Sequence, residues 1–343
     1  MILVFFSLSS QEKTSYQTPK KELLELIDIE LAPSVIRDSK NEIFILLYRD
    51  AYKSISDLSQ KELRIAGLRV NPSKYIGSRT TYYKNVKILK LSKSKDPLQL
   101  QGLPLNPKLS NFSISPDESK IALTNTTDEG VELWIADLKT LSAKRIYGSN
   151  INATLGNPII WLKNNSELLI KTIPESKKPL IDRNSIVPTG PTITENKGQK
   201  AQNRTYQDLI KNPDDAFNFT QLSLSNIIRI NLKGKEKIFL ESKMYRSVSV
   251  SPNGSLVLVS FIKKPFSYLV PYYRFPIEYR VYSNEGDLVK VIQDTPLTEE
   301  LPKGRMSTTK EPRNIGWRND LGASLYFFKA LDNGDPENKV EYR

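Results

Sequence analysis

The sequence contains no cysteine and no histidine. A Ser-His-Asp or Cys-His nucleophile needs an imidazole or a thiol, so those mechanisms are closed to these residues. Disulfides and Cys/His zinc sites are excluded, and a metal would have oxygen ligands alone. The glycines never fall in a Gly-x-Ser-x-Gly elbow. No run of five or more basic residues occurs, and past the first ten residues no apolar run is long enough to span a bilayer. These absences point to a non-catalytic module: no catalytic residue, no metal site and no cofactor are expected.

What remains is an ordinary globular composition, 343 residues with 26% charged, 38% hydrophobic and a net charge of +12. The lysines are scattered, so nucleic acid is not an expected partner, and polyanion binding is the weakest of three readings. The stretch Lys84 to Lys95 interleaves its lysines with Ile88, Leu89 and Leu91, as an edge strand protected against pairing would. Residues 1–10, Met1-Ile-Leu-Val-Phe-Phe-Ser-Leu-Ser-Ser10, read as a signal-peptide-like segment, with Ser7 and Ser9 in a small-x-small pattern. They lack a basic start, so a buried first strand is the alternative. The leader reading implies a periplasmic or secreted protein.

The main organisation is an internal repeat. Phe112-Ser-Ile-Ser-Pro-Asp-Glu-Ser-Lys-Ile-Ala-Leu123 alternates apolar and polar residues around a Ser-Pro-Asp turn, and Val248-Ser-Val-Ser-Pro-Asn-Gly-Ser-Leu-Val-Leu-Val-Ser260 repeats it. Both read as β-hairpins, with proline presetting φ at the turn. Degenerate copies run from Ile159 to Ile170, from Ile315 to Tyr326 and from Val35 to Leu47. A second strand pair follows three of them: Glu132–Leu138 with Lys144–Ile146, Ile227–Gly234 with Lys237–Leu240, and Tyr279–Gly286 with Leu288–Ile292. Two hairpins in series make the four-stranded antiparallel sheet of one propeller blade. The fold expected is therefore all-β: a β-propeller over residues 11–343, with about five blades visible, an incomplete ring, and a small helical insertion at about 174–221. Within the insertion, Arg204-Thr-Tyr-Gln-Asp-Leu-Ile210 reads as a short helix stopped by Asn212-Pro213, and Tyr206, Phe217 and Phe219 give it enough apolar surface to dock. Another helix is expected at Lys20 to Ile29.

With these repeats in place, an ordered set of motifs resembles the N-terminal β-propeller of prolyl-oligopeptidase-family serine peptidases, in the glutamyl endopeptidase-like or acylaminoacyl-peptidase-like branch. The set comprises Ala32-Pro-Ser-Val35, Leu63-Arg-Ile-Ala-Gly-Leu-Arg-Val-Asn-Pro72, Ser115-Pro-Asp117 with Glu132-Leu-Trp-Ile-Ala-Asp137, Leu155-Gly-Asn-Pro158, Val187-Pro-Thr-Gly-Pro191, Gln202-Asn-Arg-Thr-Tyr-Gln-Asp-Leu209 and Tyr273-Arg-Phe-Pro276. The resemblance implies a propeller that gates and docks peptide substrates for an α/β-hydrolase domain carrying a Ser-Asp-His triad, which nothing in these residues matches. A split or fragmentary peptidase would account for that. The alternative is a stand-alone exported propeller that binds another protein.

Four residues are substrate-binding candidates. Arg204 and Tyr206 either reach the channel mouth to bind peptide, or Arg204 pairs with a neighbouring carboxylate and pins the insertion, which is the simpler reading. Tyr272 and Arg274, with Tyr273 between them, either face the peptidase cleft, Arg274 attracting a carboxylate, or pack as a loop between blades. Trp134, Trp161 and Trp317 sit at what read as equivalent repeat positions, for packing between blades. The adjacent carboxylates Asp214-Asp215, Glu299-Glu300 and Asp128-Glu129 read as solvated turns.

Overall fold

The computed structural model describes residues 18–27, 29–40, 42–92, 96–182, 190 and 206–342. The leader-like residues, most of the Val187-to-Pro191 motif and Arg204 lie outside the described residues.

Helix α1 (Lys21–Ile27) comes first, with none of its residues buried. Blade 1 then begins with β1 (Ser34–Arg37) and β2 (Ile43–Tyr48). A long connection follows, carrying α2 (Ile55–Leu58) and a small sheet of β3 (Leu63–Ile65), β4 (Leu68–Asn71) and β5 (Ile76–Gly77). The blade closes with β6 (Asn85–Lys90) and β7 (Leu98–Gln99), in the order β1-β2-β6-β7. The expected edge strand is therefore wrong: β6 pairs with β2 on one side and β7 on the other. Its lysines alternate with Val86 and Ile88, which are fully buried.

Blade 2 is β8 (Leu109–Ile114), β9 (Lys120–Thr126), β10 (Val131–Asp137) and β11 (Ser142–Tyr147), paired in sequence. Blade 3 is β12 (Ile159–Trp161), β13 (Glu167–Thr172), β14 (Ser225–Asn231) and the first part of β15 (Glu236–Val250), with α3 (Pro213–Ser223) between β13 and β14. Strand β15 pairs with β14 through Lys243 and with β16 (Leu256–Ile262) from Met244 onward. It is thus the outer strand of blade 3 and the inner strand of blade 4, which continues with β17 (Ile277–Ser283) and β18 (Leu288–Thr295). Blade 5 contributes the hairpin β19 (Arg313–Trp317) and β20 (Leu325–Phe328). All five hairpins read from the repeat are present, as are the three following strand pairs.

The period-two alternation explains why the sheets stack. Along β9, Ile121 and Leu123 face the sheet of blade 1, packing with Ile45, Leu47, Val86 and Ile88. Ala122 between them faces blade 3, with Ile159, Trp161, Leu168 and Ile170. A third cluster joins Leu169, Ile227 and Leu240 of blade 3 to Val257, Val259 and Phe261 of blade 4. Blades 2 and 3 are apolar on both faces because a neighbouring sheet covers each face. Tryptophan reinforces two of these joints. The Trp161 indole on β12 donates to Ser113 O on β8 at 3.0 Å, and the Trp317 indole on β19 donates to Ser249 O on β15 at 3.2 Å. Trp134 departs from the expected equivalence: it sits on β10, a third strand, and its indole donates to Glu132 Oε2 within the same blade.

In an up-and-down meander, the connections between second and third strands all emerge at one end. This end carries the long ones: 49–84 in blade 1, 173–224 in blade 3 and 263–276 in blade 4. They meet over the sheets in one apolar cluster of Ile65, Val70, Phe219, Leu222, Val270 and Phe275 with Met244 and Ile262 beneath. The opposite end carries the short hairpin turns.

Candidate functional site

The insertion helix forms differently from its sequence expectation. The described residues 206–210 are not helical. Asn212 does not stop a helix but starts one: its Oδ1 accepts the Asp215 N–H at 2.9 Å, with Pro213 in the first turn. Proline is well suited there because its missing N–H has no intrahelical partner to lose. Asp214 and Asp215, read as a solvated turn, occupy the positive end of the helix dipole. Phe219 and Leu222 then face the sheets and are fully buried. Asn218 clasps the backbone of Ile181, accepting its N–H and donating to its carbonyl, both at 2.8 Å.

Three contacts lock the long connections together. Arg69 on β4 donates to Asp208 Oδ2 at 2.7 Å. Gly67 donates to Asp208 O at 2.8 Å, and Tyr272 donates to Ala66 O at 2.8 Å. Gly67 has φ +81°, and a Cβ there would lie 2.5 Å from the Pro271 Cβ. Glycine is required at this crossing on both counts.

The blade 4 connection ends in a 3₁₀ turn, Tyr272–Arg274. Phe275 anchors it, fully buried, stacked on Phe266 at 5.2 Å and edge-on to Phe219 at 5.7 Å. Tyr272, Tyr273 and Arg274 are thereby held at the wall of a cavity of about 500 Å³ between blades 4 and 5. Of the four sequence candidates, three come together. Tyr272 and Arg274 line the cavity, and Tyr206 lies behind Arg274, its ring centroid 5.5 Å from the guanidinium carbon. Arg204 lies outside the described residues. One turn thus packs into the cap and faces the cavity.

Sequence reasoning missed two further arginines. Arg246 on β15 and Arg313 at the start of β19 line the same cavity. Nη1 of Arg274 and Nη1 of Arg313 are buried without a hydrogen-bond partner among the described residues. No aspartate or glutamate is among the lining residues, whereas hydroxyls are plentiful: Ser247, Ser260, Tyr279 and Thr298 among them. Three other cavities, of about 320, 270 and 400 Å³, each include carboxylates such as Asp57, Glu62 or Glu300. One more cation abuts this site. Lys171, at the end of β13, is 1% exposed, and its Nζ has no hydrogen-bond partner among the described residues. Burial pushes its ammonium down to about 7. A Cβ placed on the cavity-lining Gly156 would lie 4.0 Å from Lys171 Nζ and 2.5 Å from Arg246 O.

No family model matches the chain. The fold defines the class as a β-propeller. Within that class, the chain is 30% identical over 347 residues to the probable chloroplastic glutamyl endopeptidase of Oryza sativa subsp. japonica, covering 97% of this chain and 37% of that protein. It is 29% identical to the Arabidopsis thaliana protein of the same name, covering 96% of this chain and 35% of that one. The resemblance read from the motifs is borne out: the chain is similar along nearly its whole length to two proteins named as probable glutamyl endopeptidases. It spans just over a third of the length of both relatives. Among solved structures, Pyrococcus horikoshii acylaminoacyl peptidase aligns with a TM-score of 0.43 at 16% identity, over 79% of this chain and 33% of that one.

Proposed function

We propose that this propeller gates and docks peptide substrates for a peptidase of the prolyl-oligopeptidase family, the chemistry being done by a serine hydrolase domain outside these 343 residues. The observation that carries the reading is the match to two glutamyl endopeptidases along nearly the whole chain. The capped face supports it. It gathers the long connections, the cavity and the tyrosine-arginine turn in one place, whereas the opposite face has only short turns.

On this reading, a peptide strand settles across the Tyr272–Arg274 turn, its backbone meeting the hydroxyls around Ser260 and Thr298. The cap over the sheets screens out folded segments too bulky to reach the turn. With no histidine and no nucleophile elbow, the chain alone lacks the Ser-Asp-His machinery that the reading assigns to the hydrolase domain.

A fluorescent, unstructured, uncharged peptide of about ten residues tests the reading by anisotropy. Saturable binding that falls in the Tyr272→Ala variant is expected, with no hydrolysis by repurified chain. An absence of saturable binding, or turnover that survives repurification, would overturn it.

A further inference from the structure

We infer that the cavity between blades 4 and 5 is a specificity site for a peptide segment that brings two negative charges close together, held jointly by Arg246, Arg274 and Arg313. This rests on the peptide-docking reading and adds the charge of what is docked.

The argument is one of charge balance. Three arginines line one cavity of about 500 Å³ with no carboxylate among the lining residues. Like charges repel, and an arginine without a counter-ion loses solvation without compensation. Elsewhere the protein pairs its part-buried arginines: Arg229 donates to Glu167, Arg69 to Asp208 and Arg280 to Glu278. Here Nη1 of Arg274 and Nη1 of Arg313 are buried and unpaired. The fully buried Lys171 ammonium, also unpaired, stands behind the Gly156 wall. A single carboxylate occupies one guanidinium fork and leaves the other two unanswered. A dianionic group, or two adjacent carboxylates, answers them. The cavity exceeds the needs of a bare inorganic anion, and its hydroxyl walls suit the backbone around such a charged pair.

The three arginines also share a design. Arg246 and Arg313 each stand two residues before the apolar-x-apolar segment of an inner strand, Val248-Ser-Val250 and Ile315-Gly-Trp317. The repeat therefore places them at equivalent positions on neighbouring blades, and the Phe275 anchor holds Arg274 at the same cavity wall.

The test is a titration of the full chain with four labelled peptides of one length, carrying Gln-Gln, Glu-Gln, Glu-Glu or a single phosphoserine, with inorganic phosphate as competitor. Glu-Glu and phosphoserine peptides are expected to bind about tenfold or more tighter than Glu-Gln, since hydrogen bonds to charged groups are worth roughly 1.5–3 kcal/mol. Whichever of the two is tighter identifies the source of the charge pair. Arg313→Gln and Arg246→Gln should each remove that advantage, so that Glu-Glu and Glu-Gln peptides bind the variants alike. Equal affinity for Glu-Gln and Glu-Glu would overturn the inference, as would inorganic phosphate competing as well as the phosphopeptide. The docking reading would survive either result, because it stands or falls on the uncharged peptide.

Discussion

At the turn face, Ser115 Oγ donates to Asp117 Oδ1 at 2.6 Å and accepts the Lys120 N–H at 3.0 Å. The second Ser-Pro turn repeats this: Ser251 Oγ donates to Asn253 Oδ1 at 2.8 Å and accepts the Leu256 N–H at 3.0 Å. Neighbouring turns then join across blades, Asp117 N–H to Asn165 Oδ1 at 2.9 Å and Asn253 N–H to Gly322 O at 3.0 Å. One turn-face atom, the neutral Asn284 Oδ1, is buried without a partner among the described residues, whereas at the capped face the unpartnered buried atoms include those of three cations, Arg274, Arg313 and Lys171. Buried polar groups are normally paired, so this contrast separates a face that stabilises the ring from one that keeps charge in reserve for a ligand. The same repeat builds both, and the difference lies in the long connections.

Five substitutions would break or sharpen the contrast. The largest effect is expected from Phe219→Ala, which empties the centre of the cap cluster: a loss of about 3–5 kcal/mol in urea unfolding, with peptide docking lost as well. Gly67→Ala should cost about 2–4 kcal/mol by placing a side chain at positive φ against Pro271, and proteolysis should then enter the cap before the blades. Lys171→Met should raise stability near neutral pH and flatten its dependence on pH. With its folded value pushed down to about 7 against an ordinary 10.5, the unfolded state binds more protons between those limits. Wild-type stability should therefore carry a contribution that rises with pH from about 7 to 10.5, and its absence from the variant is read by urea titrations at pH 7 and 10. Below about pH 7 both states are protonated and the burial penalty is fully present. The smallest effect is expected at the turn face. Ser115→Ala and Ser251→Ala should each cost about 1 kcal/mol, additively because they lie in separate blades, with no change in peptide affinity. A turn-face variant that weakened docking would erase the distinction between the faces.

The blades were legible because each strand announces itself locally, by alternation ending in a turn residue. Phe112 to Leu123 needs no distant partner to read as a hairpin. The cap was only half legible. That Phe219 would dock was visible in its apolar surroundings. That Asn212-Pro213 opens a helix was misread, because the same pair signals a stop or a start depending on which flank is helical. Trp134 was grouped with Trp161 and Trp317 by residue type, although its place in Glu132–Asp137 marks a third strand. At the cavity, Tyr272 and Arg274 stood out as an aromatic-basic cluster in one segment. Arg246 and Arg313 did not, since 67 positions separate them in the chain. Their shared register in the repeat was the available signal.

Strand β15 carries one last consequence. Because Glu236–Val250 is hydrogen-bonded into blade 3 at one end and blade 4 at the other, those two sheets move as a single lever. Parting these two sheets would mean bending or breaking the strand they share, a cost absent from the boundary between blades 4 and 5, where β18 and β19 lie in separate sheets.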